Sequence, residues 1–286
     1  MRKIIDRKTL EVKDCDLGKA QVFFYNNFFG RIILKLLVRP FVTKLGGFYM
    51  NRKCSCRMID KFVKTNNINV SEYEMDNIKC YNDFFSRKIK PGARQIDLTK
   101  NRLISPSDSK LQAFKINENS IFKIKDAYYR VEDLINDKEL AKEYVNGYCL
   151  IFRLTVDDYH RYCYPDSGTK SKNKYIKGVF HTVNPIALDR YNFYKRNARE
   201  YTILNTDNFG KIIQVEVGAL MVGKIKNHHQ EYKFEKGEEK GTFLFGGSTI
   251  VLLVKDNIVI DEDILINSAN NDETRVRYGE GIATLK

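Results

Sequence analysis

The sequence predicts an α+β protein, with a helical amino-terminal region followed by a strand-rich remainder. Two observations carry this. Before about residue 100 the apolar residues recur at helical spacing, and beyond it they fall into short β-branched runs bounded by turn residues. A chain of 286 residues is also long enough for one substantial core and a smaller helical region.

The helical signal comes first. Phe29, Ile32, Ile33, Leu36 and Leu37 recur at three- and four-residue spacing and share one helix face. Arg31, Lys35 and Arg39 recur on another face, and Pro40 ends or kinks this helix. A second helical stretch is expected over Cys54 to Lys64. Between Arg31 and Lys64 nine basic residues stand against a single acid, Asp60, so this strip carries much of the net charge of +13. A basic amphipathic helix can lie in a membrane interface, where anionic headgroups add roughly 1 kcal/mol per nearby Lys or Arg. It can equally pack its apolar face on the protein and leave the basic face solvated.

The strand signals follow. Tyr148 to Leu154, Ile212 to Val217, Phe243 to Phe245 and Thr249 to Val254 read as strands, the last a buried one. Asp126 to Tyr144 reads as helical. No repeat or low-complexity tract interrupts the chain.

The positive charge calls for an anionic partner, either nucleic acid or a membrane surface, or reflects a merely solvated basic face. The six cysteines (Cys15, Cys54, Cys56, Cys80, Cys149 and Cys163) form no CxxC pair, so reduced thiols of a cytoplasmic chain are expected. The opening MRKIIDRKTLEVKD carries no apolar run of a secretory signal. No apolar stretch reaches the length of a membrane-spanning helix.

Chemistry has few candidate residues. The histidines are His160, His181, His228 and His229. His228 and His229 fall in a polar loop. His181 precedes a strand-to-turn signal, Thr182-Val183-Asn184-Pro185, and is either structural or lines a pocket. His160 follows a strand directly, where sites are often built. The histidines have no ligand-like spacing, so no metal is expected. No GxSxG elbow, GxGxxG or P-loop is present. Gly246-Gly247-Ser248-Thr249 is by itself a tight turn before a strand. It also has what an internal acyl shift needs: an unhindered Gly carbonyl followed by a Ser hydroxyl that a base could activate.

An ordered set of motifs then narrows the reading. Phe84-Phe85-Ser86-Arg87-Lys88 is followed by Lys90-Pro91-Gly92-Ala93-Arg94, then by Ser105-Pro106-Ser107-Asp108. Asp158-Tyr159-His160-Arg161 comes next, with Pro165 and Gly168, then Val183-Asn184-Pro185 and Asn197 with Arg199-Glu200. Val217-Gly218-Ala219, Val222-Gly223, Lys236-Gly237-Glu238 and Gly247-Ser248-Thr249 complete the series. In this order they resemble the phosphatidylserine decarboxylase family, over about residues 80 to 254.

The resemblance implies a mainly antiparallel β catalytic domain over residues 81–286, carrying a basic, membrane-associating helical region over residues 1–80. It implies an enzyme that turns phosphatidylserine into phosphatidylethanolamine and carbon dioxide. The cofactor would be a covalent pyruvoyl group made from Ser248 by self-cleavage between Gly247 and Ser248. The ketone would form a Schiff base with the substrate amine and accept the electrons left by carbon dioxide. Ser248 would be the internal nucleophile, His160 its base and Asp108 the orienting carboxylate. Chains 1–247 and 248–286 would stay together. A peripheral place on the cytoplasmic face of an anionic cell membrane follows, as does a homo-oligomer as one possible assembly, with no nucleic-acid partner. This chain departs from the family where a second His usually follows the first by three residues: it has Cys163. It also has Ser109 where Gly usually follows the Asp. Either His160 serves both self-cleavage and decarboxylation, or Cys163 stands in for the missing His. Two rival readings remain: a pyruvoyl enzyme for another serine-bearing lipid or amino acid, and a basic nucleic-acid-binding module.

Overall fold

The computed structural model describes residues 2–15, 19–37, 40–124, 127–178, 197–218, 224–244 and 248–286. Its centre is a large sheet. In spatial order the strands are Tyr232–Phe234, Gly168–Lys170, Arg199–Thr206, Gly210–Val217, Ser248–Val254, Tyr148–Leu154, Ser109–Lys115, Glu273–Val276, Lys3–Asp6 and Val12–Asp14, and Lys174–Ile176 also pairs with Arg199–Thr206. Every pairing in it is antiparallel except that of Lys3–Asp6 with Glu273–Val276.

The strand Ser248–Val254 lies in the middle, between Gly210–Val217 and Tyr148–Leu154. All seven of its residues are buried. That explains why its sequence reads as a continuous β-branched and apolar run rather than an alternating one. A second, three-stranded sheet of Lys224–Asn227, Glu239–Leu244 and Arg161–Cys163 contributes Tyr162 and Phe243 to the same core.

The expected helices are largely present. One spans Phe28–Leu37. The next spans Pro40–Met50, so Pro40, expected to end or kink the first helix, is the first residue of a second one. This suits a ring that fixes φ and lacks the N–H a first-turn residue does not need. Lys53–Met58 is a 3-10 helix that runs into the α-helix Ile59–Thr65.

Two expectations are corrected. The region before residue 80 is not helical throughout: Lys3–Asp6 and Val12–Asp14 are strands on the edge of the central sheet. The open edge of Glu273–Val276 supplies the backbone partners, and Arg2 reaches back to Glu273 and Asn271. Four residues are too few to show a period in sequence. The stretch Ala127–Arg130 is a strand paired with Ile121–Ile124, and helix begins only at Val131–Ile135 and resumes at Lys138–Lys142. Its Tyr128-Tyr129 pair favours a pleated surface over a helix. Met50 and Ile59 pack with Tyr81, Phe84 and Phe85 in one cluster, so the helical region shares its core with the residues that begin the next segment.

Candidate active site

Ser248 is the first residue of the central strand and lies opposite Leu154. It is wholly buried. Its Oγ lies 3.4 Å from Nδ1 of His160. That is long for a hydrogen bond, as catalytic contacts often are before the reacting geometry tightens.

His160 is held from three sides. Its backbone carbonyl accepts from the N–H of Phe243 at 2.9 Å. Its ring stacks on Phe85, with centroids 4.0 Å apart. Its Nε2 lies 3.0 Å from the carbonyl oxygen of Thr155. A carbonyl can only accept, so Nε2 carries the proton and the neutral ring keeps its lone pair on Nδ1, toward Ser248. Burial, with the nearby positive charge of Arg87 adding to it, pushes the imidazole down to about 3. The ring is therefore neutral at any ordinary pH.

The turn that presents His160 is pinned by Asp158. Its carboxylate accepts from Thr155 N–H at 2.7 Å and from Lys110 Nζ at 2.6 Å. The Thr155 carbonyl also accepts the N–H of Asp158 at 2.9 Å.

Asp108 is not at His160. Its carboxylate is clamped by Arg94, with Nη2 at 2.7 Å and Nε at 3.1 Å, and accepts the Tyr278 N–H at 2.8 Å. The same Arg94 donates to Glu72 at 2.6 Å. Asp108, Arg94, Glu72, Tyr73, Asp158 and Arg277 border a polar cavity of about 200 Å³. Cys163 is also away from Ser248. Its Sγ lies 3.8 Å from the Ser105 carbonyl, and burial pushes its thiol well up. A protonated thiol has no strongly basic lone pair, so Cys163 is a poor substitute for an imidazole. The period-two alternation of its strand further separates it from His160, three residues earlier.

The structure thus brings together Ser248 and His160 and places Asp108 and Cys163 apart from that pair, with the Cys163 N–H donating to the Pro106 carbonyl of the Asp108 turn at 2.9 Å. His181, Val183-Asn184-Pro185 and Gly246-Gly247 lie outside the described residues. Three contributors escaped the sequence reading. Phe85 and Arg94 sit in motifs quoted above but carried no assigned role. The Thr155 carbonyl is a backbone group with no sequence signal at all.

Comparison with known proteins identifies the family. The family model described as phosphatidylserine decarboxylase matches residues 81–284. A protein of Clostridium acetobutylicum named phosphatidylserine decarboxylase proenzyme 2 is 49% identical over 262 residues, covering 91% of this chain and 90% of its own. A phosphatidylserine decarboxylase proenzyme of Clostridium botulinum (strain Kyoto / Type A2) is 42% identical and covers 100% of both chains. One from Ruminiclostridium cellulolyticum is 40% identical over 99% of this chain and 97% of its own. A match this extensive, on a fold that sets Ser248 against a neutral imidazole, means that the chain belongs to the phosphatidylserine decarboxylase family.

Proposed function

We propose that this chain decarboxylates phosphatidylserine to phosphatidylethanolamine, using a pyruvoyl group that it makes from Ser248. The observation that carries the reading is the contact between Ser248 Oγ and the unprotonated Nδ1 of a buried His160. The proenzyme names of the relatives supply the substrate and imply processing.

The Ser248–His160 contact supports a self-cleavage step. His160 Nδ1 takes the Ser248 hydroxyl proton as Oγ attacks the Gly247 carbonyl carbon. The C–N bond breaks, the proton passes to the freed Ser248 nitrogen, and an ester joins the two halves. Loss of the Ser248 α-proton expels the Gly247 carboxylate and leaves a dehydroalanine. Water then replaces its nitrogen, which departs as ammonia, and the ketone remains. The site suits such a group: Ser248 is wholly buried in the sheet interior, and Leu154 lies opposite it in the ladder.

Once formed, the ketone supplies an amine-condensing, electron-accepting centre. The chain's own residues then exclude water, and His160 holds a lone pair at Nδ1 for proton traffic. One residue serving both stages fits Cys163 being a high-pKa thiol directed elsewhere.

The test is the mass and end group of the short fragment, with product analysis on phosphatidylserine vesicles. Fragments of residues 1–247 and 248–286, the second lacking a free amine, together with phosphatidylethanolamine, are expected. A folded chain that stays intact and binds nucleic acid in a salt-sensitive way would favour the rival basic-module reading.

A peripheral position on the cytoplasmic face of an anionic membrane is part of the same proposal. Phe28, Phe29, Ile32, Ile33, Phe41, Leu45 and Phe48 are all exposed on the two helices Phe28–Leu37 and Pro40–Met50. Among the residues of the first helix whose burial is described, only Leu34 and Gly30 are buried, and most of the described apolar side chains face outward. Among the described residues no helix is long and apolar enough to cross a membrane. This suits an interfacial helix. Flotation with vesicles of anionic lipid at low salt is expected to carry the protein. Replacing Phe29 and Ile32 by Ser should weaken partitioning by at least about tenfold, from the apolar area lost. Unchanged flotation would remove these helices from the membrane contact.

A further inference from the structure

Among the described residues, Arg87 is a buried cation with no counter-charge. It is 2% exposed. Its Nη1 donates to the Phe84 carbonyl at 3.1 Å, whereas Nε and Nη2 are buried and have no hydrogen-bond acceptor among the described residues. The guanidinium lies 4.2 Å from the ring centroid of Tyr73 and 4.7 Å from that of Phe84. Ring faces offset part of the charge but cannot accept directed N–H bonds as an anion does.

Four other buried cations are matched by carboxylates. Arg94 meets Asp108 and Glu72, Arg153 meets Glu273, Lys110 meets Asp158, and Lys240 meets Glu216. Leaving a buried guanidinium uncompensated is costly, so an orphan of this kind marks a place where an anion belongs.

Its position is also distinctive. Phe85, two residues earlier, stacks on His160, and the Ser86 carbonyl accepts from Arg161 Nε at 2.8 Å. Phe84 packs in the cluster that includes Met50, the last residue of the second exposed apolar helix. Tyr73 borders the polar cavity shared with Arg94 and Asp108. Arg87 therefore lies between the outward-facing helices and the His160–Ser248 pair.

We infer that Arg87 is the anion-binding residue that receives the phosphodiester of the substrate headgroup. The inference rests on the decarboxylase reading above. The substrate has two anions, and the chemistry separates them. The carboxylate leaves as neutral carbon dioxide, so a cation held on it would stabilise the ground state more than the transition state and slow the reaction. The phosphodiester keeps its charge from substrate to product. A cation there binds both states alike and fixes the headgroup without opposing carbon dioxide loss.

The test uses the self-cleaved protein with two soluble probes. Glycerophosphoethanolamine has the phosphodiester and no carboxylate, and serine has the carboxylate and no phosphate. Glycerophosphoethanolamine is expected to raise the melting temperature of the wild type, and serine is not. Arg87→Met should lose this stabilisation and Arg87→Lys should keep part of it. In turnover, Arg87→Met should raise KM at least about tenfold with a smaller change in kcat. Fragment masses show whether each variant folds and cleaves. If Arg87→Met does not fold, Arg87→Lys and the wild-type probe contrast still decide. Stabilisation by serine alone, or no stabilisation of the wild type, overturns the inference, as does an Arg87→Met variant that responds like the wild type. A wild type that forms no phosphatidylethanolamine would instead sink the decarboxylase reading, whatever the probes show.

Discussion

Ser248→Ala is expected to leave the chain whole, with no fragment at the 247/248 junction under conditions where the wild type is fully split. The reason is atomic: without Oγ nothing at this position can attack the Gly247 carbonyl. His160→Asn should slow the cleavage by at least ~100-fold, the usual contribution of a positioned base. The pH profile is the sharper measurement. An ordinary histidine loses its free lone pair as pH falls through its usual value near 6.5. His160 is held down to about 3, first by burial and then by Arg87, so the neutral form persists far below that range. The wild-type cleavage rate, followed by intact mass over a pH series, should therefore not fall between about pH 7 and 5 on account of this group. A rate that drops with an apparent pKa near 6.5 would place the working base elsewhere. A Ser248→Ala chain that still splits would refute the mechanism outright.

Glu273→Ala is expected to produce a large loss of stability in the central sheet. Glu273 and Arg153 are both buried, and they pair in bidentate fashion, with Arg153 Nε 2.8 Å from Oε1 and Nη2 2.5 Å from Oε2. Arg2 adds a third, longer contact at 3.4 Å. Burial opposes the charged carboxylate, but Arg153 outweighs it and holds the Glu273 carboxyl below its ordinary value. Removing Glu273 leaves a desolvated guanidinium unpaired, at a cost of about 3–5 kcal/mol. For a chain of this size that corresponds to a melting temperature lower by roughly 10 °C. The damage reaches the site because Arg153 lies directly opposite Thr249 in the strand ladder, beside Ser248. Cleavage of Glu273→Ala should fall off on warming before that of the wild type. The double variant Arg153→Met with Glu273→Leu should recover much of the loss, since neither charge is then buried. Thermal melts of the three variants decide it. If the double variant is no more stable than Glu273→Ala, the unpaired charge is not the cause.

The two predictions depend on different kinds of information. Ser248 as the residue to mutate is readable from the motif series that ends in Gly247-Ser248-Thr249. Glu273 is not. It stands in the short run Glu273-Thr274-Arg275-Val276, which has neither length nor period enough to announce a strand, and its partner is 120 positions away. The same holds within the site. His160 was legible as a loop residue after a strand, and Asp108 as the acid of a turn. The pairing of His160 with Ser248 came from the family resemblance alone, and what orients His160 was not legible: Asp108 turns to Arg94 and Tyr278, and the acceptor for His160 is the Thr155 carbonyl.

The sequence by itself determined what short-range physics encodes. Helical spacing gave the exposed apolar and basic helices, and β-branched runs gave the buried strands Tyr148–Leu154 and Ser248–Val254. The ordered motifs gave the family, and with it the residue expected to become the cofactor. Only the tertiary structure decided the contacts. Ser248 and His160 are 88 residues apart, and they meet because strand register and the covering sheet bring them to one place. Register depends on pairing between distant segments, and burial depends on what those segments cover. So the neutrality of His160, the diversion of Asp108 and Cys163, and the charge of Arg87 left unpaired among the described residues all belong to the fold and to no local stretch of the chain.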